Sequence, residues 1–388
     1  MLVLLYGGGH PFFWDLCYFS TVTNIIAVAP VLAENVYEQS VIAEELAPLV
    51  TSDRGKQAVM KRLHASSKIA TRHTILPLES YRSLTSFSEA NGLFITAGTD
   101  LAEKAIRLAL QKSNLAATDI DFFFFTSVTG VAAPSLDAIL ASRLGMRSNV
   151  KRVPSFGLGC VAGASALARA HDYLSGHPRE IALVVSLELC SLTMQRDDSS
   201  MANLVATGLF GDGATAVILS GKESGLEIGP GCPEIIATGS RLYPETADAI
   251  GWNVGSSGFR IVLSAGVPDV IEQNLAQDVA NLLAPHELSS LDVSVWVAHA
   301  GGPRILEAFE TSLDLTAGQL HRSWSSLNRV GNLSSSSVLH VLSDTLEAQD
   351  ASPGAFGLLF ALGPGVSSEI ILMKWPEAEA EAEAEAAA

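Results

Sequence analysis

The sequence predicts a duplicated α/β fold with one buried helix of small residues at the centre of each half. Strands and helices alternate along the 388 residues, an order typical of layered α/β proteins. Two helices consist largely of small residues, and they follow Gly159 and Gly331 at corresponding places in the two halves. Small side chains let other backbone pack closely, so we expect the two helices to lie together in the interior.

The composition is that of a globular protein with a large core. Hydrophobic residues make up 48% of the chain and charged residues 17%, with a net charge of −17. This balance excludes a disordered chain and argues against nucleic-acid binding through bulk charge. The four cysteines contain no CxxC pair. Their number and spacing therefore predict no metal site and fit a reducing, cytoplasmic location.

The first half is predicted to alternate between buried strands and amphipathic helices. Apolar runs predict strands at 24–31, 120–126, 181–187 and 214–219. Helical spacing predicts helices at 35–46, 99–112 and 135–144, and a small-residue helix from Cys160 to about residue 174. The helix at 135–144 ends at Gly145, a residue type common just beyond helix C-termini.

The second half is predicted to follow a similar order. A short apolar run at 261–263 precedes a helix at 270–283 and a buried strand at 293–298. Pro303 starts the next helix, at 304–313, as proline often does. The second small-residue helix runs from Gly331 to about residue 346. Strands at 357–362 and 369–373 predict a closing hairpin.

These elements divide the chain into two halves, 24–222 and 223–375, joined at a glycine-rich segment. Residues 1–23 lack the basic segment of a signal peptide, and glycines and Pro11 interrupt any membrane helix. We therefore expect an extension outside the fold and no membrane span. Residues 376–388 alternate glutamate and alanine and predict a low-complexity tail.

Cys160 is the first candidate for a catalytic residue. It follows two glycines and opens the small-residue helix of the first half. The N-terminus of a helix carries a partial positive charge and free N–H groups. A cysteine placed there is expected to have a lowered pKa and to act as a nucleophile. The alternative is an apolar cysteine buried in the core.

The same segment also fits a loose dinucleotide-binding fingerprint. The pattern GxGxxA spans 157–162, and Glu188 closes the next strand. Pro154 interrupts the preceding strand, and such a fingerprint normally lies in the first βα turn of its domain. A dinucleotide-dependent oxidoreductase is therefore the weakest alternative.

His299 and Asn332 complete the candidate set. His299 ends a buried strand, where α/β proteins place functional groups, and Asn332 lies in a Gly-Asn turn. With Cys160 they would supply a thiolate, an imidazole and an amide donor. This set suits attack on an acyl thioester and stabilisation of the enolate left when a malonyl thioester loses CO2. No metal or redox cofactor is required.

At these residues the sequence resembles the type III polyketide synthases, the chalcone and stilbene synthase family of the thiolase superfamily. The matching motifs follow one another across about 24–375, and Glu188 to Asp198 is similar to the bacterial alkylpyrone and alkylresorcinol branch. The motifs are FGLGC at 156–160, LFGDG at 209–213, GFR at 258–260, HAGGP at 299–303, GNLSS at 331–335 and LGPG at 362–365. Ala300 stands where the family usually has proline.

The resemblance implies a five-layered αβαβα thiolase-like fold, a homodimer, and catalytic roles for Cys160, His299 and Asn332. It implies that Phe210 and Phe259 are gatekeepers that orient the malonyl group. In plant members, a residue at the position of Ala133 reaches into the partner's cavity, and alanine there would leave room for a longer acyl chain. The remaining residues implied to shape or line the cavity are Thr193, Met194, Ser334, Gly363, Pro364 and Gly365.

A basic stretch at 54–72 is the candidate for binding CoA phosphates. It carries six lysines and arginines and no acidic residue in an acidic protein. A docking face for phosphates and an ordinary solvated helix face are the two interpretations. The resemblance favours the first, with the contacts Lys56, Lys61, Arg62 and Lys68.

The function implied is that of an acyltransferase. A starter acyl-CoA would load Cys160, a few malonyl-CoA units would extend it, and the chain would cyclise to a pyrone or resorcinol without a further cofactor. A condensing enzyme similar to ketoacyl-carrier-protein synthase III is one alternative, opposed by the Gly-Gly-Pro after His299 and by the phenylalanine pair. An inactive, binding-only homologue is another, and Ala300 and the N-terminal extension keep it open.

Overall fold

The computed structural model describes residues 22–229, 231–316 and 318–377. The predicted extension at 1–23 and the predicted tail at 376–388 therefore lie largely outside the described residues. Thr23 is an exception, because it begins the first strand and is fully buried. The fold thus starts at least one residue earlier than predicted.

The predicted elements of the first half are present, and most extend beyond their predicted ends. The helix predicted from 99 begins at Phe87, because Ser86 and Glu89 form a reciprocal capping box there. The helix predicted at 35–46 is wrong in part, because the first four residues of that segment form a strand. The elements are β1 (Thr23–Leu32), β2 (Asn35–Glu38), α1 (Gln39–Val50), α2 (Arg54–Ser66), β3 (Thr71–Thr74), α3 (Phe87–Ser113), β4 (Phe122–Thr126), α4 (Leu136–Leu144), β5 (Lys151–Ser155), α5 (Ala162–Gly176), β6 (Ile181–Leu189), α6 (Met201–Ala206) and β7 (Asp212–Gly221).

In the second half, the strand predicted at 293–298 has the bounds predicted for it, and the closing hairpin pairs antiparallel. Two strands and a polar helix at 321–330 were not predicted. Within the described ranges, no helix combines the length and the apolar character needed to cross a membrane. The elements are β8 (Glu234–Leu242), β9 (Ile250–Gly255), β10 (Gly258–Leu263), α7 (Val267–Leu283), β11 (Val293–Ala298), α8 (Pro303–Ser312), α9 (His321–Val330), α10 (Ser337–Ala348), β12 (Phe356–Gly363) and β13 (Ser367–Lys374).

The sheet topology confirms the duplication. A nine-stranded sheet has the order β11-β12-β13-β8-β1-β7-β6-β4-β5. Its two halves meet where β1 and β8 pair over only two residue pairs. In the first half β4 pairs parallel with β6, and β6, β7 and β1 continue antiparallel. In the second half β11 pairs parallel with β12, and β12, β13 and β8 continue antiparallel.

The helices form three layers around the two half-sheets. The small-residue helix α5 packs on β4 and β6 of one half and on β12 and β13 of the other. Helix α10 packs against α5 and also contacts both half-sheets. Helix α3 covers the outer face of the first half-sheet, and α7 lies on the second. This is the thiolase-like αβαβα order, with both small-residue helices in the middle layer.

Strand β4 shows why the layers form. Successive side chains of a strand point to opposite faces of the sheet. Phe122 and Phe124 enter the core around α5, whereas Phe123 and Phe125 enter the core beneath α3. All four are at most 6% exposed, and each such burial contributes about 1.5–3 kcal/mol. A strand that is apolar on both faces therefore requires helices on both sides.

Candidate active site

Cys160 lies in a 3₁₀ turn, Gly159–Val161, directly ahead of α5. Gly159 has a φ of +56°, and a Cβ atom there would come within 2.4 Å of Pro364, so only glycine fits. The turn directs Cys160 toward the start of α10. There its Sγ donates a weak hydrogen bond to the Oγ of Ser334 over 3.7 Å.

The pKa of Cys160 is shifted in the direction opposite to the prediction. Burial raises the pKa of this thiol to about 12, and the nearby carboxylate of Glu188 acts in the same direction. Hydrogen bonds from Ser334 and Asn332 lower the pKa without offsetting the burial. The predicted direction is wrong because the segments packed around Cys160 remove part of its solvation, which disfavours the charged thiolate more than the helix end favours it. Cys160 itself is half-buried in the folded chain.

The side chain of Asn332 is held in one orientation from both ends. Its Nδ2 donates to the carbonyl oxygen of Gly301 over 3.0 Å. Its Oδ1 accepts from the backbone N–H of Ser334 at 2.7 Å and from the Oγ of Ser337 at 3.2 Å. Its backbone forms an isolated parallel bridge with Phe210. Asn332 thus links the α10 turn, the turn after β11 and the predicted gatekeeper Phe210.

His299 follows β11 and is 2% exposed. Its carbonyl oxygen accepts from the N–H of Gly301 at 2.9 Å, which closes the turn without the proline usual at Ala300. Gly301 also accepts from Asn332, so the histidine and the asparagine are joined through one residue. Burial lowers the pKa of His299 to about 4. The imidazole is therefore neutral near pH 7, with one ring nitrogen a donor and the other an acceptor.

Glu188 is a buried carboxyl beneath the site, and the sequence analysis assigned it no role in the chemistry. Its Oε1 accepts from the hydroxyl of Ser335, and its Oε2 accepts from Thr129 at 2.9 Å and from the N–H of Val128 at 3.2 Å. Burial raises its pKa to about 7. Enclosed by these groups it has no room for a ribose, which removes the dinucleotide alternative. The sign of this in the sequence was one charged residue, Glu188, in a strand whose other residues are apolar apart from Ser186.

A cavity of about 40 Å³ lies beside Phe210, whose backbone bridges to Asn332, but Cys160, His299 and Asn332 are not among its lining residues. Phe210, Phe259, Thr193 and Met194 line it. Cys190 also lines it and was missed, although it stands in the segment that resembles the bacterial branch. Most of the remaining wall is apolar.

The two predicted gatekeepers are fixed in different ways. The ring of Phe259 packs against three aromatic rings, with centroid distances of 5.4 Å to Phe87, 6.0 Å to Phe156 and 5.9 Å to Trp252. Phe210 is instead fixed through its backbone, which bridges to Asn332. Its side chain lines the cavity while its backbone touches the candidate catalytic residues.

Some predicted cavity residues lie elsewhere. The loop Gly363-Pro364-Gly365 is not part of the wall of this cavity but packs against the turn that carries Cys160, as the close approach of Pro364 to Gly159 shows. Ser334 contacts Cys160 itself and does not line the cavity either. Ala133 is exposed and away from the cavity wall, so its implied place in a partner's cavity stays a prediction.

The predicted CoA contacts share a segment but differ in their surroundings. Lys56 donates to the Oγ of Ser199 over 2.6 Å. Lys61 forms an ion pair with Glu44 at 2.5 Å. All of the predicted contacts lie in helix α2 or just after it, at Lys56, Lys61, Arg62 and Lys68. A basic run in sequence therefore does not form one uniform basic face.

Arg72 corrects the prediction of a continuous docking face. It is 3% exposed, and its guanidinium donates to the side chain of Gln39 and to the carbonyl oxygen of Phe210, each over 2.8 Å. Burial lowers its pKa to about 10, while the carboxylate of Asp212 opposes the shift. Arg72 supports Phe210 from inside the protein and takes no part in an external phosphate site.

Comparison with known proteins identifies the family. Models of the N-terminal and C-terminal domains of chalcone and stilbene synthases match residues 20–223 and 234–375. The 1,3,6,8-tetrahydroxynaphthalene synthase of Streptomyces peucetius is 49% identical over 353 residues, 91% of this chain and 93% of that protein. The α-pyrone synthesis polyketide synthase-like Pks18 of Mycobacterium tuberculosis is 31% identical over 360 residues, 91% of each chain.

Solved structures agree with this assignment. The PKS-I of the brown alga Ectocarpus siliculosus matches with a TM-score of 0.86 and 26% identity, over 92% of this chain and 99% of that one. The tetrahydroxynaphthalene synthase of Streptomyces coelicolor, a bacterial type III polyketide synthase, matches with a TM-score of 0.85 and 32% identity, over 92% and 100%. The chain therefore belongs to the chalcone and stilbene synthase family, and it is an acyl-condensing transferase of the type III polyketide synthases.

Proposed function

We propose that this enzyme condenses malonyl-CoA with an acyl starter held on Cys160, and that His299 and Asn332 drive the decarboxylation. One observation carries the assignment of roles, namely the junction of three segments at one point. Ser334 contacts the Cys160 sulfur, Asn332 orients Ser334, and Gly301 joins Asn332 to the turn of His299. These contacts support a site to which the turns of Cys160, His299 and Asn332 all contribute, next to the cavity residue Phe210.

Loading begins with a proton transfer. The thiol of Cys160 gives its proton to His299, whose imidazole is neutral and can accept it. Pairing between the resulting thiolate and imidazolium offsets the cost of charging two buried groups. The sulfur then bonds to the carbonyl carbon of the starter thioester. The bond to CoA breaks, and the leaving CoA sulfur takes the proton back from His299.

Extension uses the same residues as hydrogen-bond donors. Malonyl-CoA loses CO2, and the electron pair of the broken bond forms an enolate whose charge lies on the thioester oxygen. One N–H of Asn332 is bound to Gly301, so its second N–H and the N–H of His299 donate to that oxygen. The enolate carbon then attacks the thioester on Cys160, and the sulfur leaves as a thiolate.

Phe210 and Phe259 would favour the loss of CO2 by surrounding the malonyl carboxylate with apolar rings. A carboxylate without water loses more stabilisation than the neutral CO2 that it releases. The CoA moiety would lie outside, near Lys56 and Arg62 on α2. Only CoA thioesters enter this scheme, so it requires no metal or other cofactor.

The product that we propose is a polyhydroxylated aromatic ring. The relative with 49% identity is named a 1,3,6,8-tetrahydroxynaphthalene synthase, and that product is a ring of this kind. A pyrone is the second candidate, because a relative with 31% identity is named for α-pyrone synthesis. Among the described residues, three cysteines have free thiols, namely Cys160, Cys190 and Cys232. Free thiols support our proposal that the enzyme acts in a reducing cytoplasm.

We also propose a homodimer that forms through β5. This strand ends the nine-stranded sheet, and four of its five residues are exposed. Large apolar side chains are exposed in and beside it, at Val131, Val153, Phe156 and Leu158. An unpaired edge with apolar neighbours is a surface that a second subunit covers. Light scattering should give the mass of a dimer, and a monomer mass would contradict the proposal.

The test of the function supplies radiolabelled malonyl-CoA with and without a long-chain acyl-CoA, and Cys160→Ala is the control. A labelled aromatic polyphenol that forms from malonyl-CoA alone and disappears in the control supports the proposal. A product that needs the long-chain starter moves the assignment to a pyrone or resorcinol. Dependence on a carrier protein would indicate the synthase III class. Neither CO2 nor product would contradict the proposed function.

A further inference from the structure

The β9–β10 hairpin forms part of the cavity wall but stands apart from the nine-stranded sheet. In the part of the chain that the structure describes, its two strands pair only with each other. Trp252 of β9 and Phe259 and Ile261 of β10 line the cavity. The position of this hairpin therefore sets the width of the cavity.

Backbone hydrogen bonds hold one end of the hairpin. The N–H of Gly365 donates to the carbonyl oxygen of Ile250 over 3.1 Å. The N–H of Ser264 donates to Ala249 over 2.7 Å. These bonds fix the point where β9 begins and β10 ends, but they do not reach the turn at 255–258.

At the turn end a single side chain, Gln195, supplies the hydrogen bonds, while the ring of Phe259 also packs against Phe87 and Phe156. Its Nε2 donates to the carbonyl oxygen of Phe259 over 3.1 Å and to that of Ser257 over 3.2 Å. Among the described residues, no other hydrogen bond joins residues 251–263 to the rest of the chain. Gln195 is 5% exposed, so water does not replace these bonds easily.

Asn203 fixes the backbone of Gln195. The Nδ2 of Asn203 donates to the carbonyl oxygen of Gln195 over 3.0 Å and to that of Asp198 over 2.8 Å. Both amide groups face carbonyl oxygens, which accept only, so each amide must present its NH2 group there. A chain of two buried amides therefore runs from α6 to the backbone of Phe259.

We propose that Gln195 is a positioning residue and that, together with Asn203, it forms an amide latch that holds Phe259 at the cavity wall. This inference rests on the proposed role of Phe259 as a gatekeeper. The carbonyl oxygen of Thr193 also lies 3.1 Å from this Nε2, so three carbonyl oxygens share its two N–H groups and the latch couples two parts of the cavity wall. With the latch open, water reaches the enolate, which takes up a proton and leaves as acetyl-CoA without forming a carbon–carbon bond.

The first test measures hydrogen exchange in residues 250–263 and does not depend on activity. Gln195→Met removes the donor at similar size, and Gln195→Glu places a carboxylate against carbonyl oxygens. Both should speed exchange of these amides about tenfold, as expected when two buried hydrogen bonds are lost. Asn274→Leu, which removes an amide donor to Val270 on the outer helix α7, should leave exchange unchanged. Unchanged exchange in both Gln195 variants overturns the latch.

The second test compares CO2 release with carbon incorporated into product. Both Gln195 variants should raise this ratio about tenfold through misplacement of the reacting groups, while the loading of Cys160 stays at the wild-type level. A parallel fall of CO2 release, condensation and melting temperature would make Gln195 merely structural and overturn the proposal. If the wild-type enzyme makes no polyketide, the proposed function fails, and the exchange measurement alone decides the latch.

Discussion

The two central helices, α5 and α10, begin with the same geometry but carry different chemistry. Each follows a 3₁₀ turn, Gly159–Val161 in the first half and Ser334–Ser336 in the second. Each turn opens at a positive φ, +56° at Gly159 and +51° at Ser334. For a residue with a side chain this conformation costs roughly 1–2 kcal/mol, so the second half retains the serine at the expense of stability.

The polar groups around the two turns explain the difference. The turn before α10 is held by side chains, because Asn332 accepts from Ser334 and the hydroxyl of Ser337 accepts from the N–H of Leu333 at 2.6 Å. No side chain caps the turn before α5, and Cys160 in this turn is the candidate nucleophile. The first half therefore presents the sulfur, and the second half holds the groups that orient it.

Substitution of Asn332 is expected to have the largest effect on the part played by the second half. Asn332→Ala removes both the amide donor and the acceptor that fixes Ser334. We expect CO2 release to fall about a hundredfold to a thousandfold, as for the loss of one oxyanion donor, while Cys160 still accepts an acyl group. Asn328→Ala is the matched control, because this amide donates to Lys68 at the surface. An equal loss in both variants would contradict the assigned role.

The close packing of the two helices is tested at Gly163. A Cβ atom there would come within 2.1 Å of the carbonyl oxygen of Ser335. Gly163→Ala should therefore lower the free energy of unfolding by about 1–3 kcal/mol through overpacking, measured by urea denaturation. Gly176 ends the same helix, and a Cβ atom there would meet no other atom within 4 Å, so Gly176→Ala should not destabilise. Equal stability of the two variants would contradict the buried pairing.

The burial of His340 in α10 predicts how the stability of the protein changes at low pH. Burial lowers the pKa of His340 from 6.5 to about 3. The unfolded chain binds a proton that the folded chain does not, so stability is full above pH 6.5 and is lost as the pH falls toward 3. Between pH 7 and pH 5 the free energy of unfolding should fall by about 2 kcal/mol less in His340→Gln than in the wild type. An unchanged pH slope of the stability in His340→Gln would disprove this account.

The smallest expected effect concerns the hydroxyl of Ser334. Its hydrogen bond lowers the pKa of Cys160, so Ser334→Ala should raise that pKa further. Alkylation of Cys160 by iodoacetamide should slow about threefold, in line with one modest hydrogen bond. Ser343→Ala, on the same helix, is the control. An unchanged alkylation rate in Ser334→Ala would show that the Ser334 hydroxyl does not affect the pKa of Cys160.

The sequence predicted the features that depend on local pattern. Strand β11 has the bounds predicted from its apolar run, and Gly145 adopts the φ of +68° expected beyond a helix. The motifs around Cys160, His299 and Asn332 also predicted the family, because they keep their order along the chain. Each of these features depends on the identity of a few residues that are neighbours in the sequence.

Features that depend on distant neighbours could not be predicted in this way. Arg72 reads as a surface residue in a basic run, but Gln39 and Phe210 enclose it. The pKa of Cys160 depends on burial by segments that lie far apart in sequence, which outweighs its place ahead of a helix. Gln195 lies in the segment that resembles the bacterial branch, but the segment does not predict its partner, and only the folded chain brings Gln195 to Phe259.

The most direct test of the central claim locates the acyl group by mass spectrometry. Wild-type enzyme is mixed with an acyl-CoA, then with malonyl-CoA, and Asn332→Ala is treated in parallel. We predict an acyl group on Cys160 in both proteins, and conversion to extended product in the wild type alone. An acyl group on Cys190 in place of Cys160, or equal extension in both proteins, would contradict a site in which one half supplies the sulfur and the other drives the decarboxylation.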